Sequence, residues 1–201
     1  MTFELFGCEI YISVPFTAFV ALLFLTDKTG MMSITASAVI IHELGHIAAM
    51  KILSAMPRRI ELKPAVLHII KPKGTLSYKK EIAILAAGPL AGAVTAAMSA
   101  AIYFFAYKNE MLLWICTSNM ALTAFNMLPI SELDGGKILE YSLSVKLSAG
   151  SAKKISLIVS CIFIAVLIAV GAAMLLYGYN NITVLITGLY MLILMLLKLR
   201  K

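Results

Sequence analysis

Residues 36–53 read ASAVIIHELGHIAAMKIL, and the polar side chains in the middle of that run decide how the rest of the chain is understood. Both flanks are apolar, and only His42, Glu43 and His46 interrupt a segment long enough to cross a hydrocarbon core. On a helix His42 and His46 stand four residues apart, so their imidazoles leave the same face about one turn from each other and can grip one metal ion. Glu43 lies about 100° round that helix, within reach of a water on the ion as general base. A chance His-Glu-x-x-His pattern would be an ordinary event in a soluble helix. At bilayer depth each ionisable group costs about 2.5 to 3.5 kcal/mol on insertion scales, so a cluster of them needs a stabilising partner such as a bound cation.

Everything around this segment has the composition of a membrane protein. Of 201 residues 61% are hydrophobic and 13% charged, with a mean hydropathy of +0.95, a balance that a water-soluble globular domain of this size does not tolerate. The expected fold is an all-α membrane protein of one domain over residues 1–201. Its apolar runs, ended by charge, Gly or Pro, suggest about six transmembrane helices at 11–26, 31–55, 82–107, 111–128, 155–177 and 182–198. Short interfacial strands are expected where apolar and polar residues alternate, at 9–13 and 57–70. The N-terminal MTFELFGCE carries Glu4 and Glu9 but no basic residue, so the first span is expected to be kept rather than cleaved as a secretory signal. Cys8, Cys116 and Cys161 show no CxxC spacing and are read as packing residues.

The formal charge of +7 falls between the spans. Arg58, Arg59, Lys63, Lys71, Lys73, Lys79 and Lys80 lie between the second and third, and Lys137, Lys146, Lys153 and Lys154 between the fourth and fifth. Lys198, Arg200 and Lys201 close the chain, while the alternate loops hold only Lys28 and Lys108. By the positive-inside rule this makes a multi-pass protein with both termini cytoplasmic. No aromatic stacking surface is interleaved with these charges, so nucleic acid is not an expected partner.

A catalytic zinc ordinarily takes three protein ligands and keeps its remaining position for water or substrate. The residues that could add to His42 and His46 are Asp134 and Glu132 in NMLPISELDGGK, Glu81 at the start of the third span, and His68 in the basic loop. Asp134 is favoured, because Pro129 should end the preceding helix and Gly135 and Gly136 let backbone approach closely. A solvated interfacial carboxylate, or one paired with Lys137, is the plainer account of Asp134. Asn126, near the end of the fourth span, has the chemistry either to bridge helices or to contact a substrate carbonyl.

His42-Glu43-Leu44-Gly45-His46, with Asn126-x-x-Pro129 and then Leu133-Asp134-Gly135-Gly136, resembles the site-2 protease family of intramembrane zinc metalloproteases. The likeness runs from about residue 9 to 140, includes Ala87-Gly88-Pro89-Leu90-Ala91, and is strongest to the sporulation branch typified by stage IV sporulation protein FB. It implies His42, His46 and Asp134 as Zn2+ ligands, Glu43 as catalytic acid/base, and Asn126 and Pro129 as substrate-binding residues. It further implies a zinc metalloendopeptidase acting in regulated intramembrane proteolysis, with a membrane-tethered protein such as a pro-sigma factor of sporulation as substrate. The bilayer and an inhibitory membrane partner complete the expected associations. Two departures stand out: Gly92 occupies a position where relatives often have Asn, and neither a PDZ domain nor a nucleotide-binding domain is expected within the chain. The rival reading is a zinc transporter or sensor without proteolysis, which would leave Glu43 without its purpose and calls for a relay of ionisable residues along the spans.

Overall fold

A computed structural model of the chain describes residues 2–5, 8–13, 17–18, 21, 24–57, 59–63, 66–70, 76–179 and 181–199. It divides into two compact units, Met1–Lys80 with Ala87–Thr123 and Glu81–Ala86 with Ala124–Lys201.

The first unit contains strands β1 (Thr2–Leu5), β2 (Cys8–Ile12), β3 (Arg59–Lys63) and β4 (Val66–Ile70), helix α1 (Met31–Ile52), and most of α2 (Tyr78–Phe105) and α3 (Glu110–Asn126). The strands form one sheet in the order β1-β2-β3-β4. β1–β2 and β3–β4 are antiparallel, while β2 and β3 run parallel in register from Glu9↔Arg59 to Ile12↔Leu62. Parallel neighbours cannot be joined by a tight turn, and the crossover between them carries α1. The alternating segments at 9–13 and 57–70 thus supply three of the four strands, and β1 is an addition to the expectation.

α1 is held at its start by Asp27, whose Oδ1 accepts the backbone N–H groups of Thr29 and Gly30 and whose Oδ2 accepts that of Met32 at 2.8 Å. These donors belong to the turn and the first residues of the helix, where no intrahelical acceptor exists. Desolvation, the largest single influence on Asp27, raises its pKa; the hydrogen bonds from Thr29, Met32 and Gly30 together outweigh it and hold the carboxyl below its usual range. Along α1 the buried residues Ala38, His42, His46 and Met50 form one row at a spacing of four. The helix ends in a left-handed turn at Ser54 (φ 51°), with the Ala55 N–H returning to the Met50 carbonyl at 2.8 Å.

The second unit contains α4 (Asp134–Ser144), α5 (Ala149–Leu176) and α6 (Thr183–Leu199). α5 and α6 run antiparallel, as the contacts Cys161–Met195, Ile168–Gly188 and Gly171–Leu185 show. They meet so closely that a Cβ on Gly171 would stand 2.6 Å from the Leu185 nitrogen. Ile130, Leu133, Ile164, Met191 and Met195 make the core of this unit.

Three helices among the described residues, α1, α2 and α5, are long and apolar enough to cross a membrane. That corrects the expectation of about six spans. The fourth and sixth expected spans are the helices α3 and α6, of 17 residues each, and of the first, at 11–26, only 11–13, 17–18, 21 and 24–26 are among the described residues. The shortening of α3 follows from Pro129, which disfavours helical backbone in the residue before it. Rows of large apolar side chains face outward, among them Ile158, Ile162, Val166 and Val170 along α5. Water is a poor solvent for such a face, and together with the helix lengths it marks an integral membrane protein.

Candidate metal centre

His42 and His46 are brought together within the first unit. Their side chains sit in the buried row of α1, 3% and 8% exposed, with the two Nε2 atoms 3.2 Å apart and the ring planes nearly perpendicular at 86°. Two imidazole nitrogens at that separation cannot both hold a proton between them, whereas two lone pairs converging on one point suit a shared cation. Glu43, the next residue along, is exposed.

Space for the pair is made by glycine on both helices. A Cβ on Gly88 of α2 would collide with Nε2, Cε1 and Cδ2 of His46, so a larger residue there would push the ring away. A Cβ on Gly45 would stand 2.5 Å from the Ala87 carbonyl oxygen and 3.0 Å from the Gly88 Cα. α1 and α2 therefore cross on bare backbone beside His46. Gly92, one turn further along α2, is equally constrained: a Cβ would lie 2.5 Å from Thr123 Oγ1, which donates to the Pro89 carbonyl at 3.3 Å. An Asn at this position would require the Thr123 side chain to turn away.

Asp134 is 8% exposed and stands in the first turn of α4, where the helix dipole favours a carboxylate. α3 stops at Asn126, and a compact connection leads to α4 through Ile130 N–H to Leu128 O and Leu133 N–H to Ile130 O, both 2.8 Å. Gly135 packs against the Met127 and Leu128 carbonyls, and Gly136 against the Ile130 carbonyl, too closely for any side chain.

His42 and His46 in the first unit and Asp134 in the second are each buried, and each side chain offers an atom that can ligate a metal ion. Glu132 has other work: its carboxylate pairs with Lys198 Nζ at 3.1 Å. Glu81 lies in the first turn of α2. The side chain of His68 lies outside the described ones. Asn126 is the last residue of α3 and half-buried, as is Pro129, whose carbonyl accepts from Ser160 Oγ at 3.4 Å. Cys116 and Cys161 are free thiols on α3 and α5, and Cys161 rests against Met195. The sequence reading overlooked Asn119, fully buried on α3, whose Nδ2 donates to the Ile115 carbonyl. It also overlooked Ser156 and Ser160, and read Lys198 only as a topological charge. Their signal is a polar residue inside an apolar run.

The chemistry of the two imidazoles, their Nε2 atoms 3.2 Å apart and the space left by Gly88 suit two ligand positions of a tetrahedral zinc ion.

The family model of Peptidase family M50 matches residues 108–170, the stretch that contains Asp134. Among solved structures, the chain is similar to a site-2 protease from Methanocaldococcus jannaschii at 23% identity. The match covers 95% of this chain and 91% of that one, with a TM-score of 0.62. The two chains share a fold. No curated protein sequence matches the chain.

Proposed function

We propose that this chain is an intramembrane zinc metalloprotease of the site-2 type, with zinc held by His42, His46 and Asp134 and Glu43 as its proton shuttle. The observation that carries the reading is the buried His42–His46 pair, Nε2 to Nε2 at 3.2 Å, on an apolar helix of membrane-spanning length with an exposed Glu43 beside it. The family match over 108–170 and the shared fold with a site-2 protease support it from outside the pair.

Zinc, when bound, supplies Lewis acidity that polarises the scissile carbonyl and acidifies a water. The protein's own residues do the rest. His42 and His46, both buried, would present Nε2 lone pairs to the zinc, and Asp134 would add one negative charge. Glu43 accepts the proton of the attacking water as its oxygen joins the carbonyl carbon, then delivers that proton to the amine nitrogen as the C–N bond breaks. Acid and amine leave as the two halves of the peptide.

The substrate on this reading is a membrane-tethered protein, and a pro-sigma factor of sporulation is the candidate suggested by the sequence likeness. A helical segment hides its carbonyls in its own hydrogen bonds and must be extended before it can be cut. β1 and β4, the outer strands of the sheet, offer ladders on which an extended segment would add as a further strand. Asn126 and Pro129 would contact that segment, and both termini would face the cytoplasm by the distribution of Lys and Arg.

Co-production of a membrane-tethered pro-protein with the parent or with Glu43→Gln, with metal analysis of both purified forms, tests the reading. The expected result is cleavage by the parent only, at least about a hundredfold above the variant, with equal zinc in both. Zinc flux into vesicles retained in Glu43→Gln, without cleavage by either form, would instead establish a transporter.

A further inference from the structure

The loop that delivers Asp134 is tied down by side chains far along the chain. Ser160 Oγ accepts the Ser131 N–H at 2.9 Å and lies within hydrogen-bond reach of the Pro129 and Ser156 carbonyls, at 3.4 and 2.7 Å. One turn earlier on α5, Ser156 Oγ donates to the Gly136 carbonyl at 3.4 Å. Both serines are 0% exposed. From α6, Lys198 Nζ reaches the Ser131 carbonyl at 3.4 Å and the Glu132 carboxylate at 3.1 Å. The backbone from Pro129 to Gly136 is thus fastened on both sides of Asp134, by residues 20 to 67 positions away in sequence.

From this geometry we infer that Ser156, Ser160 and Lys198 are positioning residues for the metal ligand Asp134, and that α5 and α6 act in the reaction by holding the 129–136 loop. This rests on the zinc-protease reading for its consequence, but the fastening itself stands on the hydrogen bonds alone. α5 is a membrane helix in which a serine would otherwise gain little, since its hydroxyl can satisfy itself on its own helix one turn back. Here the two hydroxyls sit four residues apart on one face: Ser160 donates to the Ser156 carbonyl one turn back yet still accepts the Ser131 N–H of the loop, and Ser156 donates to the Gly136 carbonyl. The buried Ser131 N–H has Ser160 as its acceptor, and a buried donor left unmatched is costly. Lys198 is the weaker tie, because its side chain is 43% exposed and solvent screens the pair. A carboxylate whose backbone can drift by an ångström binds metal more weakly than one held in place, and supporting residues of metal ligands ordinarily change affinity by about ten- to a hundredfold.

The test uses the purified full chain in detergent, read in two ways: zinc affinity by chelator competition, and amide exchange across residues 129–136 without metal. Ser160→Ala is expected to weaken zinc by about tenfold and to speed exchange at Ser131 by a similar factor. Lys198→Met should weaken zinc by about two- to fivefold, and the exchange Glu132→Lys with Lys198→Glu should restore it. Gly171→Ala is the control for general damage: its Cβ would strike Leu185 of α6, so it should lower the thermal midpoint yet leave zinc affinity unchanged. Unaltered exchange at Ser131 in Ser160→Ala overturns the inference, and so does an equal loss of zinc in Gly171→Ala. If the parent binds no zinc while Ser160→Ala still loosens the loop, it is the zinc-protease reading that fails and the fastening that survives.

Discussion

Residues 42–46 and residues 129–136 hold the side chains that we propose as zinc ligands, and the two segments are built in opposite ways. The first segment takes its geometry from the helix that contains it: a spacing of four sets His42 above His46 whatever lies beyond. The second is a turn that runs into the first residues of α4 and takes its shape from serines on α5, a lysine on α6 and glycines pressed against carbonyls. Local geometry survives the loss of a distant partner, whereas geometry borrowed from distant partners does not.

The sharpest way to break that contrast is to disturb each segment at a glycine. In Gly136→Ala the added methyl meets only backbone, the Ile130 carbonyl and the Ser131 nitrogen, so the loop itself must move. Overpacking of this kind costs about 1 to 3 kcal/mol, and chemical denaturation together with zinc content should show both stability and metal lost. If this variant keeps both, the loop is not rigid and the contrast is void. Gly88→Ala strikes a side chain instead, the His46 ring. Zinc affinity should fall by about tenfold with a smaller loss of stability, because a ring can turn where a backbone cannot.

A smaller effect concerns the start of α1. Asp27 has a pKa lowered from its ordinary 3.8 by the N–H groups that it accepts. A depressed carboxyl pKa contributes stability that is present above the unfolded value and lost as the pH falls through the folded one. The difference in amide exchange at Met32 between the parent and Asp27→Asn should therefore be constant above about pH 4 and vanish below the folded pKa. A difference that persists under strong acid would show that the side chain's shape, and not its charge, holds the helix end.

The same contrast explains what could be read without coordinates. His42, Glu43 and His46 were legible because helical periodicity is local, and the strands at 9–13 and 57–70 because alternation is local. The pairing of Gly135 and Gly136 with a nearby Pro signalled a tight connection, though not what it touches. Ser156, Ser160 and Lys198 were invisible in function, since a hydroxyl in an apolar run gives no hint of its partner. Hydropathy located α3 and α6 as well, since the expected runs at 111–128 and 182–198 lie within two residues of those helices, but at 17 residues each they are shorter than α1, α2 and α5.

The order of pairing in the sheet has a consequence for biogenesis. β1–β2 and β3–β4 are each hairpins that close over a few residues, so each can form as soon as it is synthesised. The parallel seam between β2 and β3 cannot close until the ribosome has made the whole crossover from Ser13 to Arg58, α1 included. At about 5 to 20 residues per second the nascent chain therefore spends some seconds with a finished hairpin whose β2 edge is open, while the helix bearing both histidines enters the bilayer. An open edge accepts any strand offered to it, so this interval is when a wrong partner could take the place of β3.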